Sequence, residues 1–180
     1  MHRSSTGCAQ VRGERAHRSR DAGRREYAEP VRFELVDRVL ELKTDRIVAV
    51  KAVSAAEEYL QDHFPTFPVL PGVMMLEAMV QAARRLLESR DGGGRAGPPW
   101  VLGKVRALKY GRFVRPGDTL VIEVSNLKDN GDGSYDARGE IRVTSPGPVR
   151  GDGEPAPEGE GRVAASGRLT LRPVRVARAG

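Results

Sequence analysis

The spacing of apolar residues along the chain predicts one long buried helix. From residue 73 to residue 90 the sequence VMMLEAMVQAARRLLESR consists mostly of strong helix formers, and its first half is apolar on every side of a helix. Three prolines between residues 64 and 71 keep the preceding stretch extended, and DGGGRAGPP ends the helical pattern. A helix that is apolar on all sides is normally covered by protein on all sides. We therefore predict a buried helix that begins at Gly72.

Six shorter segments have the composition or the alternation of β-strands. VRFELVDRVLEL and RIVAVKAV precede the helix and form a predicted hairpin. Those that follow the helix are WVLGKVRALKY, TLVIEVSNL, SYDARGEIRV and RVAASGRLTLR. The last two alternate strictly between polar residues and small or apolar ones, which indicates antiparallel strands with one buried face. An apolar helix needs a sheet to cover it, so the predicted fold class is α+β, with a curved antiparallel sheet wrapped around the helix.

The segment SAAEEYL, between the second strand and the long helix, predicts one additional helical turn. Ser54 has the side chain of an N-cap, and Glu57 follows three residues later. This spacing is that of a capping box, in which each side chain bonds the other residue's backbone N–H group.

Composition divides the chain into one domain and less regular segments. Residues 30–173 form the predicted domain; residues 1–29 form a basic N-terminal tail without apolar periodicity, and residues 174–180 form a C-terminal tail. Residues 145–161 are rich in Gly, Pro and acidic residues and predict a disordered loop. The net charge of +6 comes largely from the tails, which favours solvated segments over a nucleic-acid or membrane-headgroup binder.

The cysteine count and the hydropathy limit the location of the protein. A single cysteine excludes a disulfide framework within the chain and fits a reducing, cytoplasmic compartment. No apolar run approaches the roughly 18–20 residues of a membrane span, and no apolar segment follows the N-terminal arginines as in a secretory signal.

Glu77 is the one acidic residue within the apolar half of the predicted helix. A buried carboxylate without a partner is costly, and Gln81 lies four residues on, on the same helix face. We expect Gln81 to fix the orientation of the Glu77 carboxyl without a cation beside it, so that the group can act as an acid. The alternative is a side chain that reaches solvent past the edge of the helix.

His63 is the one histidine outside the N-terminal tail. It is either a surface residue or a base. The helix that follows begins at PGV, so the backbone N–H groups of Gly72 and Val73 are free to polarise a group near them. A base, an acid and a polarising N–H pair are the parts needed to remove a proton next to a carbonyl and expel a β-hydroxyl. Spacing alone does not bring them together.

The stretch DHFPTFPVLPGVMMLEAMVQAA resembles the signature of the 3-hydroxyacyl-(acyl-carrier-protein) dehydratases. The similarity extends to LVDRVLEL, to RFVRPGDTLVIEV and to the final strand, over residues 33–144 and 162–172. The resemblance implies a hot-dog fold, in which an antiparallel sheet wraps a long central helix. It also implies a homodimer, in some members a trimer of dimers, with the acyl tunnel at the dimer interface.

The resemblance also implies roles for individual residues. His63 matches the catalytic histidine and Glu77 the catalytic acid, which come from opposite subunits. Gln81 matches the glutamine that orients the acid, while Gly72 and Val73 match the helix start that polarises the thioester carbonyl. The implied reaction converts 3-hydroxyacyl thioesters of acyl carrier protein, held on its 4'-phosphopantetheine, into trans-2-enoyl thioesters, without a metal, nucleotide or redox cofactor.

Three other functions compete with the dehydratase. A hot-dog thioesterase would use Glu77 to activate water, and a non-catalytic acyl-binding partner subunit would use the fold alone. A nucleic-acid binder rests only on the basic tail and lacks interleaved aromatic residues.

A run of basic residues without an acid predicts a docking surface for the acidic carrier protein. These residues are Lys104, Arg106, Lys109, Arg112 and Arg115. The alternative is an ordinary solvated strand face.

Overall fold

The computed structural model describes residues 33–90, 99–145 and 161–174. The predicted N-terminal tail, most of the predicted loop 145–161 and all but the first residue of the C-terminal tail lie outside the described residues. The domain boundaries predicted from the sequence therefore stay predictions.

A six-stranded antiparallel sheet curves around one long helix. The elements are β1 (Arg38–Leu42), β2 (Ile47–Ala52), α1 (Tyr59–Asp62), α2 (Gly72–Arg90), β3 (Trp100–Tyr110), β4 (Thr119–Asp129), β5 (Tyr135–Thr144) and β6 (Arg162–Pro173). The strand order is β1-β2-β4-β5-β6-β3. The predicted α+β class and the helix flanked by two and then four strands are confirmed.

The core lies between α2 and the concave face of the sheet, which we call the inner face. Side chains alternate along β4, where Leu120, Ile122 and Val124 are buried and the intervening residues are partly exposed. On the helix, Met79 and Leu86 are fully buried. These residues belong to one continuous apolar cluster, which is the main source of stability for a domain of this size.

The helix approaches the sheet most closely at Gly139 on β5. A β-carbon at this position would lie 2.6 Å from the Sδ atom of Met79, which is closer than two such atoms can approach. A side chain at Gly139 would therefore force Met79 or the sheet to shift, and glycine permits this close approach of α2 to the sheet.

The first strand is shorter than its sequence predicts. The prediction began it at residue 31, whereas β1 begins at Arg38. Leu35 and Val36 are buried, and the Leu35 N–H donates to Oε1 of Gln81 on α2 at 2.8 Å. A helix side chain thus takes the backbone donor that a longer strand would use for pairing.

The predicted capping box at Ser54 is wrong. Ser54 Oγ accepts from the Ala56 N–H at 3.2 Å, but α1 begins later, at Tyr59, and has no side-chain cap. Glu57 bonds Nζ of Lys51 at 2.5 Å instead. The Lys51 side chain is 8% exposed, and a buried ammonium is costly without a carboxylate beside it, so this tertiary pair prevails over the local motif.

An ion-pair network between β1, β2 and β4 gives the first testable prediction. Arg46 bonds both carboxylate oxygens of Glu123 at 3.1 Å and also contacts Glu41 at 3.1 Å. The hydrogen bond from Arg46 holds the pKa of Glu123 below its ordinary value of 4.5. A depressed carboxylate pKa contributes stability above pH 4.5, and this contribution is lost as the pH falls through the folded-state pKa.

Arg46→Met should therefore lower Tm by a few degrees near neutral pH and have no effect well below the Glu123 pKa. Thermal melts of both proteins across the acid range measure this, with Arg38→Met on β1 as the control. A constant difference in Tm between wild type and Arg46→Met at every pH would contradict the electrostatic origin.

Candidate active site

His63 follows α1 directly, and its ring is held by the loop that leads to α2. Its Nδ1 lies 3.0 Å from the carbonyl oxygen of Val69. A carbonyl oxygen only accepts, so Nδ1 donates in this bond, and in the neutral form of the ring Nε2 is the nitrogen without a proton. The Val69 N–H donates back to the His63 carbonyl at 3.2 Å. The proline-rich loop thus fixes the tautomer that a base requires.

His63 lines an open cavity of about 610 Å³ at the start of α2. The other lining residues are Val69, Leu70, Gly72, Val73, Met75, Tyr110, Gly111, Arg112 and Phe113. Within the described ranges, no backbone carbonyl accepts from the N–H of Gly72 or Val73. The cavity therefore combines an imidazole whose Nδ1 is engaged with two free donors at a helix N-terminus, where the helix dipole favours negative charge.

Tyr110 at the end of β3 covers the beginning of the helix. A β-carbon on Gly72 would lie 2.8 Å from Cζ of Tyr110, so glycine permits the ring to pack on the helix start. Burial raises the pKa of the Tyr110 hydroxyl above its ordinary value of 10.

Glu77 is held by two neighbours on its own helix. Its Oε1 accepts from Nε2 of Gln81 at 3.2 Å, as predicted, and also lies 3.5 Å from Nη1 of Arg84. The prediction of a carboxyl without a cationic partner is therefore wrong. Its side chain is 35% exposed, so in the single chain the surroundings of Glu77 are only partly apolar.

Gln81 is fully engaged by fixed partners. Its Oε1 accepts from the Leu35 N–H, and its Nε2 donates to the Phe33 carbonyl at 3.0 Å as well as to Glu77. The segment before β1 thus locks the amide in one orientation. The Glu77 carboxyl group that it holds gains a defined position on the helix surface.

The structure brings His63, Gly72 and Val73 together, but not Glu77 or Gln81. Neither residue of the second group lines the His63 cavity. Val73 and Glu77 are four residues apart and lie on the same face of α2. Val73, at the start of this face, is 65% exposed. The predicted burial of α2 on all sides is thus wrong at its first turn, because none of the described residues of the chain covers this face.

The basic residues of the predicted docking surface lie on two surfaces. Lys104, Arg106 and Lys109 pair with Thr170, Arg168 and Ser166 of β6, on the face of the sheet away from α2, which we call the outer face. By contrast, Arg112 lines the His63 cavity, and the Arg115 guanidinium lies 4.4 Å from the ring centroid of Phe67.

An exposed apolar rim surrounds the cavity and was not predicted from the sequence. We define it as Phe64, Phe67, Val73, Tyr110 and Phe113, which are between 41% and 67% exposed. Phe67 packs edge to face on Phe113 at 6.1 Å. The sequence carries one signal of this rim, which is the placement of its phenylalanines. The chain contains four phenylalanines, and three of them belong to the rim.

The described residues lack two further features. No helix in residues 33–90, 99–145 and 161–174 is long and apolar enough to cross a membrane. The same part of the chain contains no cluster of three His, Cys, Asp or Glu side chains that could hold a metal ion.

Comparison with known proteins places this chain in a family. Residues 28–143 match the FabA-like domain. The chain is 48% identical over 99 residues to the 3-hydroxyacyl-[acyl-carrier-protein] dehydratase FabZ of Oenococcus oeni, covering 53% of this chain and 70% of that one. It is 36% identical over 139 residues to FabZ of Lactococcus lactis, covering 77% and 83% respectively.

Solved structures agree on the fold. The dehydratase heterocomplex ApeI:P from Xenorhabdus doucetiae matches with a TM-score of 0.56 at 18% identity, over 79% of this chain and 84% of that one. TT0310 from Thermus thermophilus matches with a TM-score of 0.52 at 17% identity, over 76% and 91%. The predicted hot-dog fold is confirmed, and the chain belongs to the FabA-like family.

Proposed function

We propose that this chain is a dehydratase that converts 3-hydroxyacyl thioesters of acyl carrier protein into trans-2-enoyl thioesters in fatty-acid synthesis. The observation that carries the proposal is the bond from His63 Nδ1 to the Val69 carbonyl, beside two free N–H groups. It leaves Nε2 of the ring ready to accept a proton within a cavity that can hold a thioester.

The reaction follows from these parts. The N–H groups of Gly72 and Val73 bind the thioester carbonyl oxygen and stabilise the negative charge that develops on it when C2 loses a proton. His63 Nε2 takes that proton, and Glu77 donates a proton to the C3 hydroxyl, which leaves as water. The electron pair of the broken C2–H bond forms the C2=C3 bond.

Glu77 reaches this reaction from a second copy of the chain in our proposal. Two features support a homodimer: the apolar rim around the cavity is exposed, and Glu77 lies outside the cavity of its own chain. Exposed apolar patches rimmed by polar residues commonly mark protein interfaces. An isologous dimer would cover the rim and bring each carboxyl to the other subunit's cavity.

The test of the function is a paired assay of two products. With a 3-hydroxyacyl carrier-protein substrate, we expect the ultraviolet absorbance of the enoyl thioester to rise without release of free thiol. Thiol release would instead identify a thioesterase. Absence of both products, with acyl binding retained, would identify a non-catalytic partner subunit.

Carrier protein should dock where its acyl arm enters the cavity, beside Arg112 and Arg115. Reversing both charges should raise KM for the carrier-bound substrate about tenfold, because steering of an acidic partner is lost. KM for a short pantetheine thioester should not change. Lys104→Glu on the outer face is the matched control. Equal effects on both substrates would contradict docking at this place.

Arg84 is a positioning residue for Glu77 in this proposal. Its Nη1 contact at 3.5 Å, together with the Gln81 bond, restrains the same carboxylate oxygen. Arg84→Met should lower kcat roughly tenfold with little change in KM, since a misplaced acid costs rate and not binding. Arg84→Lys should recover part of the loss.

Arg85→Met is the control for Arg84, because Arg85 pairs with Glu34 and the Val36 carbonyl instead of Glu77. An equal loss of kcat in both variants, or a loss confined to KM, would contradict the positioning role.

A further inference from the structure

Three arginines lie directly opposite one another on adjacent strands of the outer face. Arg168 on β6 pairs in register with Arg138 on β5 and with Arg106 on β3. Neighbouring strands are only about 4.8 Å apart, and like charges placed directly opposite on a sheet are destabilising. A row of this kind needs a compensating negative charge.

The chain supplies that charge for the outer two arginines but not for the central one. Arg106 contacts Asp136 at 3.1 Å, and Arg138 contacts Glu140 at 3.3 Å. Over the ranges that the structure describes, Arg168 makes no hydrogen bond and no ion pair with any side chain. Arg168, which has an arginine on each side, is thus the member of the row that has no acidic partner among the described residues.

Arg168 lies at an open depression of about 530 Å³. Its other lining residues are Ala107, Lys109, Asn126, Lys128, Asp136, Ala137, Arg138, Ser166 and Gly167. Asp136 is the only acid in this set, and it is already bonded by the Thr170 hydroxyl at 2.6 Å and by Arg106. The depression therefore has an excess of positive charge, with a hydroxyl and an amide as further hydrogen-bonding groups.

Two bulges form the sides of the depression. The register of β3 shifts between Arg106 and Lys109, and that of β4 shifts between Ser125 and Lys128. At these shifts Ala107 has a φ of 51° and Asn126 a φ of 56°, in the left-handed region. Alanine rarely adopts this conformation, and strain of this kind concentrates at binding and catalytic sites.

We propose that this depression binds a compact ligand that carries two or more phosphate groups. Guanidinium groups match phosphate oxygens in charge and in hydrogen-bond geometry, and such a ligand would supply the negative charge that the arginine row lacks. The volume suits a small molecule. The inference does not depend on the proposed dehydratase reaction.

Other anionic occupants fit the depression less well. Its lining residues include no aromatic side chain on which the bases of single-stranded nucleic acid could stack and no large apolar side chain that could enter a membrane. Carrier protein is expected at the His63 cavity, on the other face of the sheet. Lys109 lines the depression, whereas the next residue, Tyr110, lines the His63 cavity. Consecutive strand residues point to opposite faces of a sheet.

Pyrophosphate is the probe for this site. In phosphate-free buffer at constant ionic strength, calorimetric titration of the full-length protein should give saturable binding with one site per chain. Arg168→Gln should weaken this binding at least tenfold. Arg172→Gln is the matched control, since it removes the same charge from the same strand and the same face but lies outside the depression; it should bind pyrophosphate as the wild type does.

Thermal melts give a second readout that a structural role would not produce. Without anions, Arg168→Gln should melt at the wild-type temperature or above it, because repulsion within the arginine row is relieved. With pyrophosphate, the wild type should gain more in Tm than the variant. A lower Tm for Arg168→Gln in anion-free buffer, equal weakening of pyrophosphate binding by both substitutions, or no saturable binding would overturn the proposal.

A lipid headgroup offers the same phosphate chemistry as a free ligand. Vesicles that contain phosphatidic acid should not bind through Arg168. Vesicle binding that Arg168→Gln abolishes and pyrophosphate does not displace would overturn the assignment of a free ligand.

Discussion

Refolding inactive His63→Ala and Glu77→Ala chains together should restore about a quarter of the wild-type activity. Each variant alone lacks the base or the acid at both sites, so each should lose about a hundredfold to ten-thousandfold in kcat. Random assortment makes half of the dimers mixed, and each mixed dimer has one site with both residues intact. Activity is measured as enoyl thioester formation after denaturation and joint refolding.

The control for this experiment is each variant refolded alone, with subunit mixing verified by mass spectrometry. If both residues of a site came from one chain, every site in the mixture would lack one of them. Mixed dimers without activity would then contradict the shared site and the route by which Glu77 donates its proton.

Gly139→Val should cause the largest loss of stability among the changes considered. The added atoms meet Sδ of Met79, which is fully buried between α2 and the sheet. Overpacking of a core typically costs about 1–3 kcal/mol, and for a domain of this size we expect a drop in Tm on the order of 5–10 °C. Denaturant and thermal unfolding measure both quantities.

A compensating change separates the packing clash from a general effect of valine. Met79→Ala alone leaves a cavity and should also destabilise the domain. In the double variant the valine fills part of that cavity, so the loss should be smaller than the sum of the two single losses. Gly103→Val, where the nearest atoms belong to the flexible side chain of Arg172, is the control. Additive losses would contradict the direct contact.

The regular elements could be predicted because the helix and the strands differ in residue type and in the pattern of their apolar residues. The composition of residues 73–90 predicted α2, and the alternation in β5 and β6 predicted strands with one buried face. Pattern alone could not give the strand order, in which β3 pairs with β6 and lies at the edge of the sheet. The sequence pattern also gave a wrong capping box at Ser54, because the partner of Glu57 is Lys51 on β2.

The sequence predicted which residues belong to the candidate site better than it predicted how they are arranged. Gln81 bonds Glu77 as its spacing of four residues indicates. Arg84 lies seven residues from Glu77, two helical turns away, and the spacing alone signalled this contact only weakly. The bond that fixes the His63 tautomer comes from a carbonyl, which every residue has, so no residue type could reveal it.

The place of β3 in the sheet has a consequence for how the protein folds during synthesis. Its only strand partner in the described sheet is β6, and residues 111–161 separate the two. At ribosomal rates of about 5–20 residues per second, β3 stays unpaired for roughly 3–10 s after it emerges. Throughout that interval β6 is incomplete, so the part of α2 that packs against β3 and β6 is not fully covered. We therefore expect the yield of folded protein to depend on chaperone capacity and on the speed of translation through residues 111–173.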